Sequence, residues 1–85
     1  MDDERRVVIC HLDGNTVKRL LENRHTDIRV VAVDFREAIR LARREPGSVI
    51  FTDLSCWPDD IEICYVPAGN SKALLRRIKE ELNLA

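Results

Sequence analysis

The chain has 85 residues, of which 45% are apolar and 34% charged, a balance typical of one small globular domain rather than a disordered or fibrous protein. Fourteen basic against 15 acidic side chains leave a net charge of −1, so no overall charge attracts nucleic acid or an anionic membrane. The acidic N-terminal segment Met1–Arg6 lacks the apolar stretch of a signal peptide, and no apolar run reaches the length of a membrane span. We therefore expect a single domain over residues 1–85, with no nucleic-acid and no membrane partner.

The three cysteines are Cys10, Cys56 and Cys64, an odd number without close pair spacing. This pattern favours reduced thiols in a cytoplasm over a disulfide framework. Together with His11 and His25 they provide zinc-ligand types, but their spacing matches no zinc finger or ribbon. We predict no metal site and no cofactor.

Four apolar runs rich in β-branched residues predict strands: Val7–Cys10, Ile28–Val33, Val49–Phe51 and Ile61–Val66. Three stretches with apolar residues at i, i+3 and i+4 spacing predict helices. The first follows the turn Asp13–Thr16 and ends near Arg24, the second covers Phe35–Ala42 before Pro46–Gly47, and the third follows Gly69–Ser71 with the stripe Leu74, Leu75, Ile78 and Leu82. The element order is therefore βαβαββα.

The connections predict the topology. The first three strands alternate with helices, so right-handed crossovers make them parallel in the order 2-1-3, with the two helices on opposite faces. The next link, Leu54–Asp60, is shorter than the dozen residues of an ordinary parallel return, and its Trp57-Pro58-Asp59-Asp60 suits a type I turn. We predict a three-layer α/β sandwich with a mixed sheet ordered 2-1-3-4, in which strand four is antiparallel at an edge.

Several segments resemble a response-regulator receiver domain. The first three βα units of that family are similar to Val7–Asp13, Val31–Ala42 and Val49–Leu54, and its last strand and helix to Tyr65–Pro67 and Leu74–Ile78. The resemblance implies that Asp53, at the end of strand three, corresponds to the family's phosphate acceptor.

The chain departs from the receiver pattern at the positions that carry its chemistry. The family's acidic pair, which holds Mg²⁺, falls on Cys10 and His11, with only Asp13 acidic nearby. The lysine after the last strand is replaced near Ala68, and the portion with the switch hydroxyl is missing. The resemblance therefore implies a shortened module that does not phosphorylate itself in the usual way.

In an open α/β sheet, ligands bind beyond the carboxyl ends of the strands where the strand order reverses, here between strands one and three. The candidate ligand- or anion-binding residues at this crevice are His11, Asp13, Gly14, Asn15, Thr16, Asp53 and Ser55. A structural alternative for Asp53 is a carboxylate that accepts hydrogen bonds from nearby loop amides.

Cys10 offers a second chemistry, because a thiol before a strand-to-helix loop could act as a nucleophile beside the helix amides. Low-molecular-weight tyrosine phosphatases use this layout, but they place an arginine where this chain has Thr16. His11 follows Cys10 directly and points to the other face of a strand, so it cannot be the base for this thiol. We expect a packed, inert thiol.

Two similar loops, Asp13–Thr16 and Ala68–Ser71, each precede a helix, and we interpret both as ordinary helix caps. In the predicted topology they lie at opposite ends of the sheet and do not meet. Trp57 is interpreted as a lid over the end of the core, or, if it is exposed, as an anchor for a protein partner.

No general base is paired in sequence with either candidate nucleophile. The sequence therefore favours a non-catalytic binding or regulatory module that acts through protein–protein contacts and is at most receiver-like. The alternative is a small phosphate-handling enzyme or phosphoacceptor that uses Asp53 or Cys10. Few charges protect the edge strands, so a homodimer through an edge strand or the last helix is a further hypothesis.

Overall fold

The computed structural model describes residues 5–45 and 48–83. Its elements are β1 (Arg5–Cys10), α1 (Gly14–Arg24), β2 (Ile28–Ala32), α2 (Phe35–Arg44), β3 (Ile50–Thr52), β4 (Ile63–Tyr65) and α3 (Ser71–Leu82). This sequence of elements confirms the predicted order βαβαββα. Residues 1–4 of the N-terminal segment and the predicted helix stop Pro46–Gly47 lie outside the described residues.

The four strands form one sheet in the order β2-β1-β3-β4, as predicted. All neighbouring strands are parallel, including β3 and β4, which pair in the register Ile50↔Ile63 and Thr52↔Tyr65. The predicted antiparallel direction of strand four is therefore wrong, and the sheet is parallel throughout. This parallel order resembles the flavodoxin-like and receiver-like topology.

The segment 53–62 explains the wrong prediction, because it brings the chain back to the start of β4 without a helix. A three-residue strand is only about 10 Å long, so a short extended segment spans it easily. A turn forms one residue later than predicted, over Pro58–Ile61 instead of Trp57–Asp60, since the Ile61 amide donates to the Pro58 carbonyl at 3.1 Å. This turn lies where β4 begins, so it directs the chain into a parallel strand and does not form a hairpin.

The return segment and α2 pack on the same face of the sheet. This is expected for right-handed connections, because the one from β2 to β3 and the one from β3 to β4 both run toward the β4 edge of the sheet. The rings of Trp57 and Phe35 lie 4.6 Å apart between centroids, and Ile61 is buried among the residues of this face. An ion pair of 3.1 Å between Arg43 on α2 and Asp60 joins the far end of the segment to the helix. Helices α1 and α3 pack on the other face.

The sheet therefore has a buried apolar cluster on each face, between the strands and the elements that cover them. The face of α1 and α3 buries Val7, Ile9, Val17, Leu21, Ile28, Val30, Phe51, Cys64, Val66, Leu74 and Ile78. The face of α2 buries Val8, Cys10, Ala38, Ile50 and Ile61. Alternate residues of each strand supply the two clusters, as expected for strands covered on both faces. Within the described ranges, no helix has the length and apolar character to cross a membrane.

Candidate functional site at the carboxyl end of the sheet

Because β4 is parallel, three loops meet at the carboxyl end of the sheet: those after β1, β3 and β4. The Gly69 amide donates to Asp13 Oδ2 at 3.2 Å, which joins the loop after β4 to the loop after β1. The Leu12 amide donates to Asp53 Oδ2 at 3.2 Å, which joins the loops after β1 and β3. The prediction that the two similar loops lie at opposite ends is therefore wrong, because it depended on an antiparallel β4.

His11 lies at the centre of this network, and its side chain is fully shielded from solvent. Its Nδ1 accepts a 3.0 Å hydrogen bond from the Asp13 amide, and its Nε2 lies 2.9 Å from the Val66 carbonyl. A carbonyl can only accept, so this pattern assigns the proton to Nε2 in a neutral ring. His11 thus ties the end of β4 to the turn before α1.

Asp53 and Thr52 hold the loop after β3. The Asp53 carboxylate binds the Leu12 amide, as in the structural alternative given for this residue. Thr52 is completely buried, and its Oγ1 accepts a 3.0 Å hydrogen bond from the Leu54 amide. Ser55 follows on the exposed part of the return segment, and no hydrogen bond joins it to this network among the residues that the structure describes.

The start of α1 differs from the predicted cap. Asp13 is the N-cap residue, but its carboxylate binds the Gly69 amide across the site instead of an amide of its own helix. Gly14 is buried, and a Cβ there would lie 3.1 Å from Ile9 Cγ2, so the close approach of loop and strand favours glycine. Asn15 and Thr16 are exposed in the first turn of α1, and within residues 5–45 and 48–83 neither side chain forms a hydrogen bond with these loops.

Cys10 lies on the α2 face, opposite to His11. Burial raises the pKa of its thiol, the negative charges of Asp53 and Asp34 raise it further, and a hydrogen bond with Thr52 opposes them. A raised pKa leaves the thiol protonated at neutral pH, and the thiolate is the nucleophilic form. The geometry therefore supports a packed thiol at this position.

The other two cysteines lie apart from the carboxyl-end loops. Cys56 is exposed on the return segment. Cys64 is buried on β4, where its Sγ accepts a hydrogen bond of 2.9 Å from Arg77 Nε. This contact raises the pKa of Arg77, with Glu81 and Glu80 adding to the effect. All three cysteines are free thiols.

Two leucines stand at the rim of the network, and the sequence analysis did not identify them. Leu12 is 78% exposed and Leu54 is 38% exposed. Their amides are bound by Asp53 and Thr52, so the backbone that carries each leucine is fixed. An apolar residue between His11 and Asp13 in an otherwise polar loop is the one sequence signal that could have indicated this surface.

Trp57 packs on the α2 face of the sheet. It is half-buried against Phe35, and its Nε1 donates to the Leu54 carbonyl at 3.0 Å. This position corresponds to the interpretation of a lid over the end of the core. The hydrogen bond also holds the return segment next to Leu54.

Over residues 5–45 and 48–83, no three His, Cys, Asp or Glu side chains are grouped so that they could hold a metal ion. No protein-family model matches the chain, and no curated protein and no solved structure is significantly similar to it.

Proposed function

We propose that this chain is a non-catalytic protein-binding module of receiver-like architecture, and that it binds its partner through the carboxyl end of the sheet. The observation that carries the proposal is Leu12, which is 78% exposed on a loop whose backbone is fixed by side-chain hydrogen bonds. Burial of such a side chain on binding is worth about 1.5–3 kcal/mol. Because the backbone that carries Leu12 is already fixed, less conformational freedom is lost when this side chain is buried by a partner.

The polar residues around Leu12 support a structural role over a catalytic one. Asp53, Asp13 and His11 each bind a backbone group of a neighbouring loop. A general base must reach a substrate, whereas the His11 side chain is fully shielded from solvent and has both ring nitrogens engaged. These side chains instead fix the loops that present the leucines, and the raised pKa of Cys10 keeps its thiol protonated.

The receiver-like interpretation relates this surface to the phosphoacceptor position of the family. The resemblance to response-regulator receiver domains makes Asp53 the phosphoacceptor position, and here the Asp53 carboxylate accepts a hydrogen bond from the Leu12 amide. The chain would then present one fixed binding surface instead of one controlled by phosphorylation. The three free thiols fit a reducing cytoplasm, which is where we place this activity.

The test compares what co-purifies with the tagged chain and with two charged variants. Leu12→Asp puts a carboxylate into the proposed surface, whereas Leu20→Asp changes a leucine on α1 that is 44% exposed and lies outside it. Quantitative mass spectrometry should show a co-purifying protein whose recovery falls at least about tenfold with Leu12→Asp and does not change with Leu20→Asp. A tenfold fall corresponds to a loss of about 1.4 kcal/mol of binding free energy. Equal recovery with both variants would contradict the proposal.

A further inference from the structure

The two edges of the sheet differ in how their backbone groups are used. On β2, the Val30 amide donates to Glu22 Oε2 of α1 at 3.3 Å, so a side chain of the same molecule occupies the middle of that edge. Such a carboxylate discourages pairing with a further strand. No comparable contact covers β4 among the described residues. The sheet therefore has one edge that is blocked and one that is open.

The register of β4 shows which of its groups face the open edge. The Glu62 carbonyl accepts from the Ile50 amide at 3.1 Å, and the Val66 amide donates to the Thr52 carbonyl at 2.8 Å. Backbone groups of a strand alternate between its two sides, so those of Ile63 and Tyr65 point away from β3. The Tyr65 side chain is 54% exposed beside this edge.

We propose that a second copy of this chain pairs with this edge, antiparallel and about a two-fold axis at Cys64. In this register Ile63 of one copy lies opposite Tyr65 of the other, and the pair exchanges four backbone hydrogen bonds. Each Ile63 side chain then packs against a tyrosine ring across the interface, a favourable cross-strand pair. The same two residues thus supply both the donors and the acceptors.

The ends of the strand select this register over its neighbours. The Ile61 amide is already bound to the Pro58 carbonyl, and Pro67 has no amide proton. A shift by two residues in either direction would pair Ile61 with Tyr65 or Pro67 with Ile63, and each such pair could form one hydrogen bond instead of two. Only the proposed register completes both hydrogen bonds of every pair with residues of β4 itself. In the proposed register Glu62, the charge nearest the ladder, falls opposite Val66, so the two glutamates do not face each other.

This pairing does not depend on the protein-binding surface, because Leu12 and Leu54 belong to loops beyond the strand ends. A three-residue ladder forms a weak interface, so we expect self-association in the upper micromolar range. Sedimentation equilibrium of the wild-type chain should therefore show a monomer–dimer equilibrium. A monomer at every concentration up to the millimolar range would overturn the proposal.

Amide hydrogen exchange locates the interface without any mutation. Exchange at Ile63 and Tyr65 should slow as the protein concentration rises, because dimerisation gives these amides acceptors. Val30 serves as the internal control, since its amide already binds Glu22 and should not respond to concentration. A dimer in which neither β4 amide gains protection would place the contact elsewhere and refute the inference.

Two substitutions at one position separate the backbone contribution from that of the ring. Tyr65→Pro removes an amide that β3 does not use, so two of the four intermolecular hydrogen bonds are lost and the dimer should weaken about 30-fold. Tyr65→Thr keeps the amide and should weaken it only a few-fold. Circular dichroism checks that both variants fold. Equal affinities of the proline variant and the wild type would exclude this edge.

Discussion

Replacement of His11 by leucine tests whether the carboxyl-end loops are held by this one side chain. The substitution leaves the Asp13 amide without its 3.0 Å acceptor and the Val66 carbonyl without its 2.9 Å donor. Each unsatisfied group costs about 1–3 kcal/mol, and burial of the apolar leucine offsets part of the loss. We expect the free energy of unfolding to fall by about 2–4 kcal/mol, a large share of the about 5–10 kcal/mol typical of such a domain.

Urea unfolding followed by the fluorescence of Trp57 measures this loss, because the single tryptophan packs on Phe35 in the folded state. His25→Leu is the matched control, since the His25 side chain makes no hydrogen bond among residues 5–45 and 48–83. The control should change stability by less than about 0.5 kcal/mol. If His11→Leu is as stable as His25→Leu, the two hydrogen bonds do not hold the loops, and the reasoning fails.

Three further predictions follow from the structure. Incubation with acetyl phosphate and Mg²⁺ should add no phosphoryl group to Asp53 by intact mass; an adduct that disappears in Asp53→Asn would instead support the phosphoacceptor alternative. Thiol labelling of the native chain at neutral pH should reach exposed Cys56 well before Cys10, whose pKa burial raises, and fast labelling of Cys10 would contradict this. The hydrogen bond from Arg43 lowers the pKa of Asp60. The pair therefore stabilises the fold at pH values above the ordinary aspartate pKa, and this stabilisation is lost as the pH falls through the lowered pKa. In Arg43→Ala, an NMR titration should find a higher pKa for Asp60 than in the wild-type chain.

The helices, the strands and the order of the first three strands could be predicted because each depends on local periodicity or on a strong rule of handedness. The place of β4 beside β3 is also correct, but that prediction depended on a hairpin that does not form. The direction of β4 could not be predicted, because the length rule for parallel returns assumes a helix in the connection. Here a three-residue strand and a segment that packs Trp57 and Ile61 on the α2 face make a shorter return sufficient. Nothing in the periodicity of 53–62 distinguishes that return from a hairpin.

The wrong direction of β4 also meant that two contacts between the carboxyl-end loops could not be predicted. His11, Asp13 and Asp53 could be placed near one another from the parallel order of the first three strands, and they do lie together. The Val66 carbonyl bound by His11 and the Gly69 amide bound by Asp13 belong to a loop that an antiparallel β4 would have carried to the opposite end. Asp53 instead binds the Leu12 amide, in the loop after β1. Without the loop after β4, His11 and Asp13 resemble unoccupied catalytic groups.

The same hydrogen bonds explain how a domain of this size can present apolar surface on a loop. A loop without regular structure leaves its amides and carbonyls unpaired, and exposure of a leucine adds nothing to folding. At Leu12 the carboxylate of Asp53 binds the amide, while His11 and Asp13 fasten the flanking turn to the end of β4. The polar residues therefore provide the order that Leu12 itself does not. Side chains that the sequence marks as candidates for chemistry are, in this geometry, the supports of the loop that exposes Leu12.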